Sequence, residues 1–154
     1  MDGDTPESRI ERRLFDSLYV EAMVLADEAR AYFDEAGRAE REALDPLARV
    51  TFSCESLKVT TRLMHIIAWL LTQRAVAAGE LRLRDALDPS RRLGDAPVTD
   101  PGVFDTLPER ARTLIAASAD LHRRIARLDT AQDQPAGGAP SPARSIQQRL
   151  ARAF

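Results

Sequence analysis

The chain has 154 residues, of which 44% are hydrophobic and 30% charged, and its formal net charge is −2. This length and composition are typical of one soluble globular domain with its own core. The slightly acidic balance argues against a general nucleic-acid binder, which normally carries a basic face. The most apolar run, residues 63–71, is interrupted by His65 and is far too short to span a bilayer.

The N-terminal sequence and the single cysteine indicate the cellular compartment in which the protein resides. Residues 1–13 contain no apolar signal-peptide core, and Cys54 has no partner for an internal disulfide. Both features predict a cytoplasmic protein. Because Cys54 lies within an apolar stripe, we interpret it as a small core residue. Residues 1–7 are polar and are expected to be disordered.

A first helix is predicted over about residues 9–35. Ser8 and Glu11 have the spacing of a capping box, and Gly37 is a natural stop. Residues 37–44 form a charged connection. The inner face of this helix consists of Leu14, Leu18, Ala22, Leu25, Ala29 and Tyr32, widened by Phe15, Tyr19 and Phe33.

The stretch from Asp45 to Gly79 predicts one long helix with two apolar stripes. Asp45 is a strong N-cap, Pro46 suits the first turn, and Gly79 is a natural end. The first stripe repeats at spacings of three and four: Leu47, Val50, Cys54, Leu57, Thr61, Met64, Ala68, Leu71 and Ala75. The second stripe lies on roughly the opposite side: Phe52, Val59, Leu63, Ile66, Ile67 and Leu70.

Two opposite apolar stripes need more cover than a small bundle provides. One stripe packs against helices of the same chain, so the other predicts a partner chain. We assign the second stripe, from Phe52 to Leu70, to the interface with this partner chain, which is a dimer interface where the partner is a second copy. Substituting Glu for Leu63 or Ile67 is therefore expected to break the dimer.

A third helix is predicted after a long connection. Residues 80–105 contain scattered Pro and Gly, which break helical patterns. Thr106 and Glu109 form a second capping box, and the helix should end near Leu128. Its apolar residues follow heptad spacing: Leu107, Leu114, Ser118, Leu121, Ile125 and Leu128. The expected fold is all-α, an antiparallel three-helix bundle over residues 8–130.

The C-terminal residues 131–154 have a different character. Residues 131–143 are rich in Ala, Gly, Pro and Gln, which is typical of a flexible linker. The remainder predicts a short basic amphipathic peptide that docks on a partner protein, the alternative being a frayed terminus. Its candidate partner-binding residues are Ile146, Arg149, Leu150, Arg152 and Phe154.

Groups with catalytic spacing are scarce. The chain has two histidines, no glycine-rich phosphate loop and no His/Cys/Asp cluster with metal-ligand spacing. No catalytic residue, metal or cofactor is therefore expected. His65 and Trp69 are interpreted as an interface rim or as packing at the edge of the bundle. Phosphotransfer through His65 is a remote alternative, and His122 is expected to be a solvated surface residue.

Three segments carry a resemblance to a known family. They are FDSLYVEAMVLADEARAYFD (15–34), LARVTFSCESLKVTTRLMHIIAWLLTQRAV (47–76) and LPERARTLIAASADLHRRIARLD (107–129). The most specific strings are 59–64 and 69–76. In these segments, and in the order of its elements, the chain resembles the RcdA-like family, alphaproteobacterial regulators of CtrA degradation.

The resemblance implies a non-enzymatic adaptor. Members are dimers of three-helix bundles that help the ClpXP protease recognise cell-cycle regulatory proteins. They act after a CpdR-like response regulator has primed the ClpX unfoldase. Cargo binds directly or through a second, PopA-like adaptor, and the C-terminal tail matters for delivery. The leading hypothesis is therefore a proteolysis adaptor, and its main rival is a scaffolding helical dimer without a role in proteolysis.

Overall fold

The computed structural model describes residues 5–133 and 150–153. Residues 5–133 form six α-helices: α1 (Pro6–Ala31), α2 (Arg38–Glu42), α3 (Pro46–Ala77), α4 (Leu83–Ala86), α5 (Pro101–Phe104) and α6 (Glu109–Gln132). A π-helical turn, Tyr32–Ala36, extends α1, and a 3-10 turn, Pro89–Arg91, follows α4. The predicted all-α fold built on three long helices is confirmed.

The three long helices α1, α3 and α6 pack around one core. Ala22 of α1, Val59 and Ile66 of α3, and Ala111 and Ile125 of α6 are completely buried. Small residues at Ala22 and Ala111 let the helix backbones approach closely.

Contacts between side chains fix the helix directions. Phe15 meets Trp69 and Phe33 meets Phe52, so α1 runs antiparallel to α3. Trp69 bonds to Asp129 and Arg62 bonds to Ser118, so α3 and α6 run parallel. Residues 78–108, which we call the connection, therefore return along the length of the bundle before α6 begins. As a result α3 and α6 end at the same end of the molecule, where α1 begins.

The ends of α3 agree with the sequence, whereas the starts of α1 and α6 differ. The Asp45 carboxylate accepts a hydrogen bond from the Ala48 amide at 2.8 Å, and Gly79 adopts a φ of 77° just after the helix. At α1, Thr5 caps the helix by accepting from the Ser8 amide at 3.1 Å, so the helix begins earlier than predicted. The capping box at Thr106 does not form, because α6 begins at Glu109 with Pro108 as its N-cap residue. The Thr106 hydroxyl instead donates to the Val103 carbonyl at 2.7 Å.

Candidate interaction surface

The outward face of α3 is a continuous apolar surface. Leu47 is 77% exposed, Leu57 67% and Met64 64%. These residues belong to the first stripe of the sequence analysis, which follows a strict three-four repeat over four heptads. We call this surface the α3 outer stripe: Leu47, Val50, Cys54, Leu57, Thr61, Met64, Ala68, Leu71 and Ala75. Such a continuous, exposed apolar face is typical of a protein-interaction surface.

The second stripe of α3 lies inside the protomer. Five of the six residues assigned above to a dimer interface have exposures between 0 and 3%: Phe52, Val59, Leu63, Ile66 and Leu70. Ile67 is partly buried against the same core. The assignment of the five buried residues to a partner-facing surface is therefore wrong, and for Ile67 it stays a prediction. The prediction that Cys54 is a core residue is also wrong, since its side chain is exposed.

Buried polar residues on α3 explain why the sequence pattern assigned the buried and the exposed role to the wrong apolar faces. Glu55, Arg62 and Gln73 are 2–3% exposed, and they lie on the buried side of α3. A helical pattern normally assigns charged and amide side chains to the solvent-facing side of a helix. Because the outer stripe is as apolar as the buried stripe, the pattern could not show which of the two packs on the core. Only knowledge of their partners in the connection and in α6 would have reversed the assignment.

Arg62 fixes the connection to both long helices behind it. Its guanidinium donates to the Pro97 carbonyl at 2.9 Å, to the Thr99 hydroxyl at 3.0 Å and to the Ser118 hydroxyl at 3.2 Å. Thr99 in turn donates to the Glu55 carboxylate at 2.5 Å. Burial lowers the pKa of Arg62, and the nearby Glu55 charge partly opposes this effect. This network holds the connection on the side of α3 away from the outer stripe.

A second polar network anchors the connection near the end of α6. The Trp69 indole and the Arg92 guanidinium each donate to Asp129 Oδ1 at 2.8 Å, and Arg92 also reaches Asp133. The Arg92 hydrogen bond holds the pKa of Asp133 below its usual value. Trp69 is only 2% exposed, so it is part of the core rather than an interface rim.

The two histidines face each other across Gly94. The His122 ring shares a hydrogen bond with the Gly94 carbonyl at 3.0 Å, and a Cβ at Gly94 would lie 3.1 Å from the His65 ring. Both rings are partly buried, which corrects the expectation that His122 is fully solvated. Burial lowers the pKa of His122. Because the connection covers His65, this ring is not the freely exposed imidazole that phosphotransfer requires.

The predicted tail site is only partly described. Leu150 and Arg152 lie exposed on a helical turn, residues 150–153. Ile146, Arg149 and Phe154 fall outside the described residues, so the partner-binding role of this segment stays a prediction. Within residues 5–133 and 150–153, no group of three His, Cys, Asp or Glu side chains could hold a metal ion. In the same part of the chain no helix is long and apolar enough to cross a membrane.

The chain is similar to known proteins in both sequence and fold. The profile of a family described as a protein of unknown function, DUF1465, matches residues 7–154. The chain belongs to this family. It is also similar to RcdA from Caulobacter crescentus, whose crystal structure superimposes with a TM-score of 0.63 at 34% sequence identity. That alignment covers 77% of this chain and 90% of the RcdA chain, which confirms the resemblance found in the sequence. No curated protein sequence matches the chain.

Proposed function

We propose that this chain is a non-enzymatic adaptor that delivers cell-cycle regulatory proteins to the ClpXP protease. The observation that carries the proposal is the similarity to RcdA over most of both chains. The exposed apolar face of α3 supports a protein-binding role, since monomeric proteins rarely expose so continuous a face. Holding cargo and the unfoldase together makes cargo capture effectively intramolecular and raises its rate without bond chemistry.

The adaptor is proposed to act as a homodimer through the α3 outer stripe. Its repeat runs from Leu47 to Ala75, about 42 Å of helix at 1.5 Å per residue. The flanking residues Thr51, Thr60 and Thr72 are uncharged. The two flanking cations are engaged within the chain: Lys58 with Glu55, and Arg74 with Asp16 and the Tyr19 ring. A second copy therefore meets an apolar seam without a row of like charges.

The proposed partners are those that the RcdA resemblance implies. They are the ClpX unfoldase primed by a CpdR-like response regulator, and protein cargo that binds directly or through a PopA-like second adaptor. The tail residues Ile146, Arg149, Leu150, Arg152 and Phe154 are proposed to contact the protease complex. Leu150 and Arg152 are exposed and available for such a contact.

A reconstituted degradation assay tests this function. It contains ClpXP, the priming regulator and a candidate cell-cycle cargo, with and without this chain. The proposal predicts that cargo disappears faster only when the chain is present. If cargo loss is unchanged for several cargoes while the chain remains dimeric, the adaptor function is refuted and a scaffolding dimer is supported.

A further inference from the structure

A groove opens at the end of the bundle where α1 begins and α3 and α6 end. Its volume is about 630 Å³, and its lining is mainly apolar, with Phe15, Val76, Leu83 and Leu128 among the residues that form it. None of these residues belongs to the α3 outer stripe. The groove is therefore a second surface, separate from the proposed dimer face.

Two side-chain amides in this groove are only half satisfied. The Gln132 amide nitrogen donates to Gln73 Oε1 at 2.7 Å. Gln73 Nε2 and Gln132 Oε1 are buried and have no hydrogen-bond partner among the described residues. Exchanging O and N in both amides leaves the same inventory, one amide nitrogen and one amide oxygen without a partner. Gln73 is only 3% exposed, so an occupant that pairs with these atoms would remove the cost of burying them unpaired.

A free donor beside a free acceptor matches the backbone of a peptide. One C=O group and one N–H group of a peptide would complete the Gln73–Gln132 pair, while apolar side chains would fill the floor of the groove. The combination of unpaired amide groups and a mainly apolar lining thus favours a short peptide with apolar residues.

The chain itself carries such a peptide, joined to the end of α6 at the groove. α6 leaves the bundle through Ala131 and Gln132, which both line the groove. Seventeen residues, 133–149, separate Gln132 from the turn 150–153, and they can reach up to about 55 Å when extended. The turn is helical and its Leu150 side chain is 54% exposed, so it presents an unpartnered apolar group. Phe154 follows one turn later in the sequence.

We propose that this groove binds the C-terminal residues 150–154 of the same chain. Leu150 and Phe154 fill its apolar floor, and the peptide backbone pairs with Gln73 and Gln132. The short tether gives the segment a high effective concentration at the groove. Insofar as the proposed function holds, docking withholds the tail from the protease complex, and a partner that occupies the groove releases it.

Paramagnetic relaxation enhancement in the full chain tests this docking. A nitroxide is attached at Ala153→Cys in a Cys54→Ser background, and amide signals of the ¹⁵N-labelled protein are measured. Docking predicts that the signals of Gln73, Val76 and Leu83 lose most of their intensity. If they keep the intensity of the diamagnetic control, the proposal is overturned.

Two variants and a mixed sample sharpen the result. Leu83→Asp places a carboxylate in the groove at a position that is 56% exposed, so the fold should survive while the signal loss disappears. Val98→Asp changes an 82% exposed apolar residue outside the groove and should preserve the loss. An equal loss in Leu83→Asp overturns the proposal. So does a loss that arises mainly between nitroxide-labelled and ¹⁵N-labelled molecules in a mixed sample, because it assigns the groove to the tail of another copy.

The degradation assay separates this inference from the proposed function. If the groove signals are lost but cargo degradation is independent of the chain, docking stands and the adaptor function fails. If the chain accelerates cargo loss without any groove signal loss, the adaptor function stands and docking is overturned.

Discussion

Arg62 is the buried charged residue on which the position of the connection depends most. Its guanidinium supplies hydrogen bonds to Pro97, Thr99 and Ser118, and its exposed fraction is 2%. We expect Arg62→Met to lower the free energy of unfolding by about 2–4 kcal/mol, because buried acceptors lose their donor. Urea denaturation measures the change. Arg127→Met, at an exposed position of α6, should change stability little; equal losses in the two variants would show that the Arg62 network contributes nothing specific.

His122 predicts a pH dependence of stability with a definite sign. Burial is the main cause that lowers its pKa in the folded chain. Below the unfolded pKa, near 6.5, the unfolded chain then binds more protons than the folded chain, and stability falls with decreasing pH until the folded pKa is passed. The relevant neighbours are His65 and Arg62, which lower the pKa further, and the Gly94 carbonyl and Asp95, which raise it.

The test compares the free energy of unfolding of the parent protein with that of the His122→Gln variant at different pH values. Between about pH 7.5 and about pH 5.5, the parent should lose more stability than the variant, because only the parent must protonate this ring. Parallel pH profiles for the two proteins would contradict this assignment.

For single residues, the sequence showed which side chains are apolar but not which groups they contact in the fold. The apolar character of Phe52 and Ile66 was evident, and both proved buried. The burial of Arg62 and Trp69 could not be predicted, because their partners Pro97 and Asp129 lie 35 and 60 residues further along the chain. Helical spacing contains no information about contacts of that range.

The two apolar faces of helix α3 differ in their exposure to solvent. The face with Leu63 packs against the chain's own core, whereas the face with Leu57 is exposed. Leu57→Asp should therefore convert a dimer to a monomer without unfolding it, because an apolar dimer seam does not tolerate a desolvated carboxylate. Light scattering gives the mass and thermal denaturation gives the stability. Val98→Asp serves as the control, since it adds the same charge away from the stripe.

Leu63→Glu has a different expected effect from the one that its sequence pattern suggested. With 3% exposure, Leu63 lies in the core, so a carboxylate there should unfold the protomer rather than only separate two copies. A folded, monomeric Leu63→Glu protein would restore the original assignment of this face to the dimer. A folded, dimeric Leu57→Asp protein would exclude the outer stripe.

Helix boundaries were predictable where a cap is encoded locally. Asp45, Pro46 and Gly79 defined α3 correctly, since each acts through its own backbone or side chain. The capping box at Thr106 failed because α6 begins at Glu109, with Pro108 at its N-cap position. The parallel direction of α3 and α6 depends on how the connection packs, which local signals do not determine.

In the whole molecule, the proposed adaptor uses the bundle to bind proteins and the tail to deliver cargo. Residues 5–133 form the packed bundle with the α3 outer stripe and the terminal groove, and residues 150–153 belong to the tail. The resemblance to RcdA was recognisable from sequence strings, because they record ancestry. Which surface of the bundle remains open was not recognisable, because it depends on the assembled helices.

Removal of residues 141–154 tests the division between bundle and tail. The deletion touches none of the core residues, so circular dichroism and thermal denaturation should match those of the full chain. The outer stripe also remains, so the proposed dimer should persist. A truncated protein that unfolds would contradict the expectation that residues 5–133 fold without the tail.

The rate of cargo loss in the reconstituted ClpXP reaction tests the central claim most directly when the full chain and the truncated chain are compared. The account predicts faster cargo loss with the full chain and weakened acceleration with the truncated chain, although both are folded. Equal acceleration by the two proteins would refute the role of the tail. No acceleration by either protein would contradict the adaptor function itself.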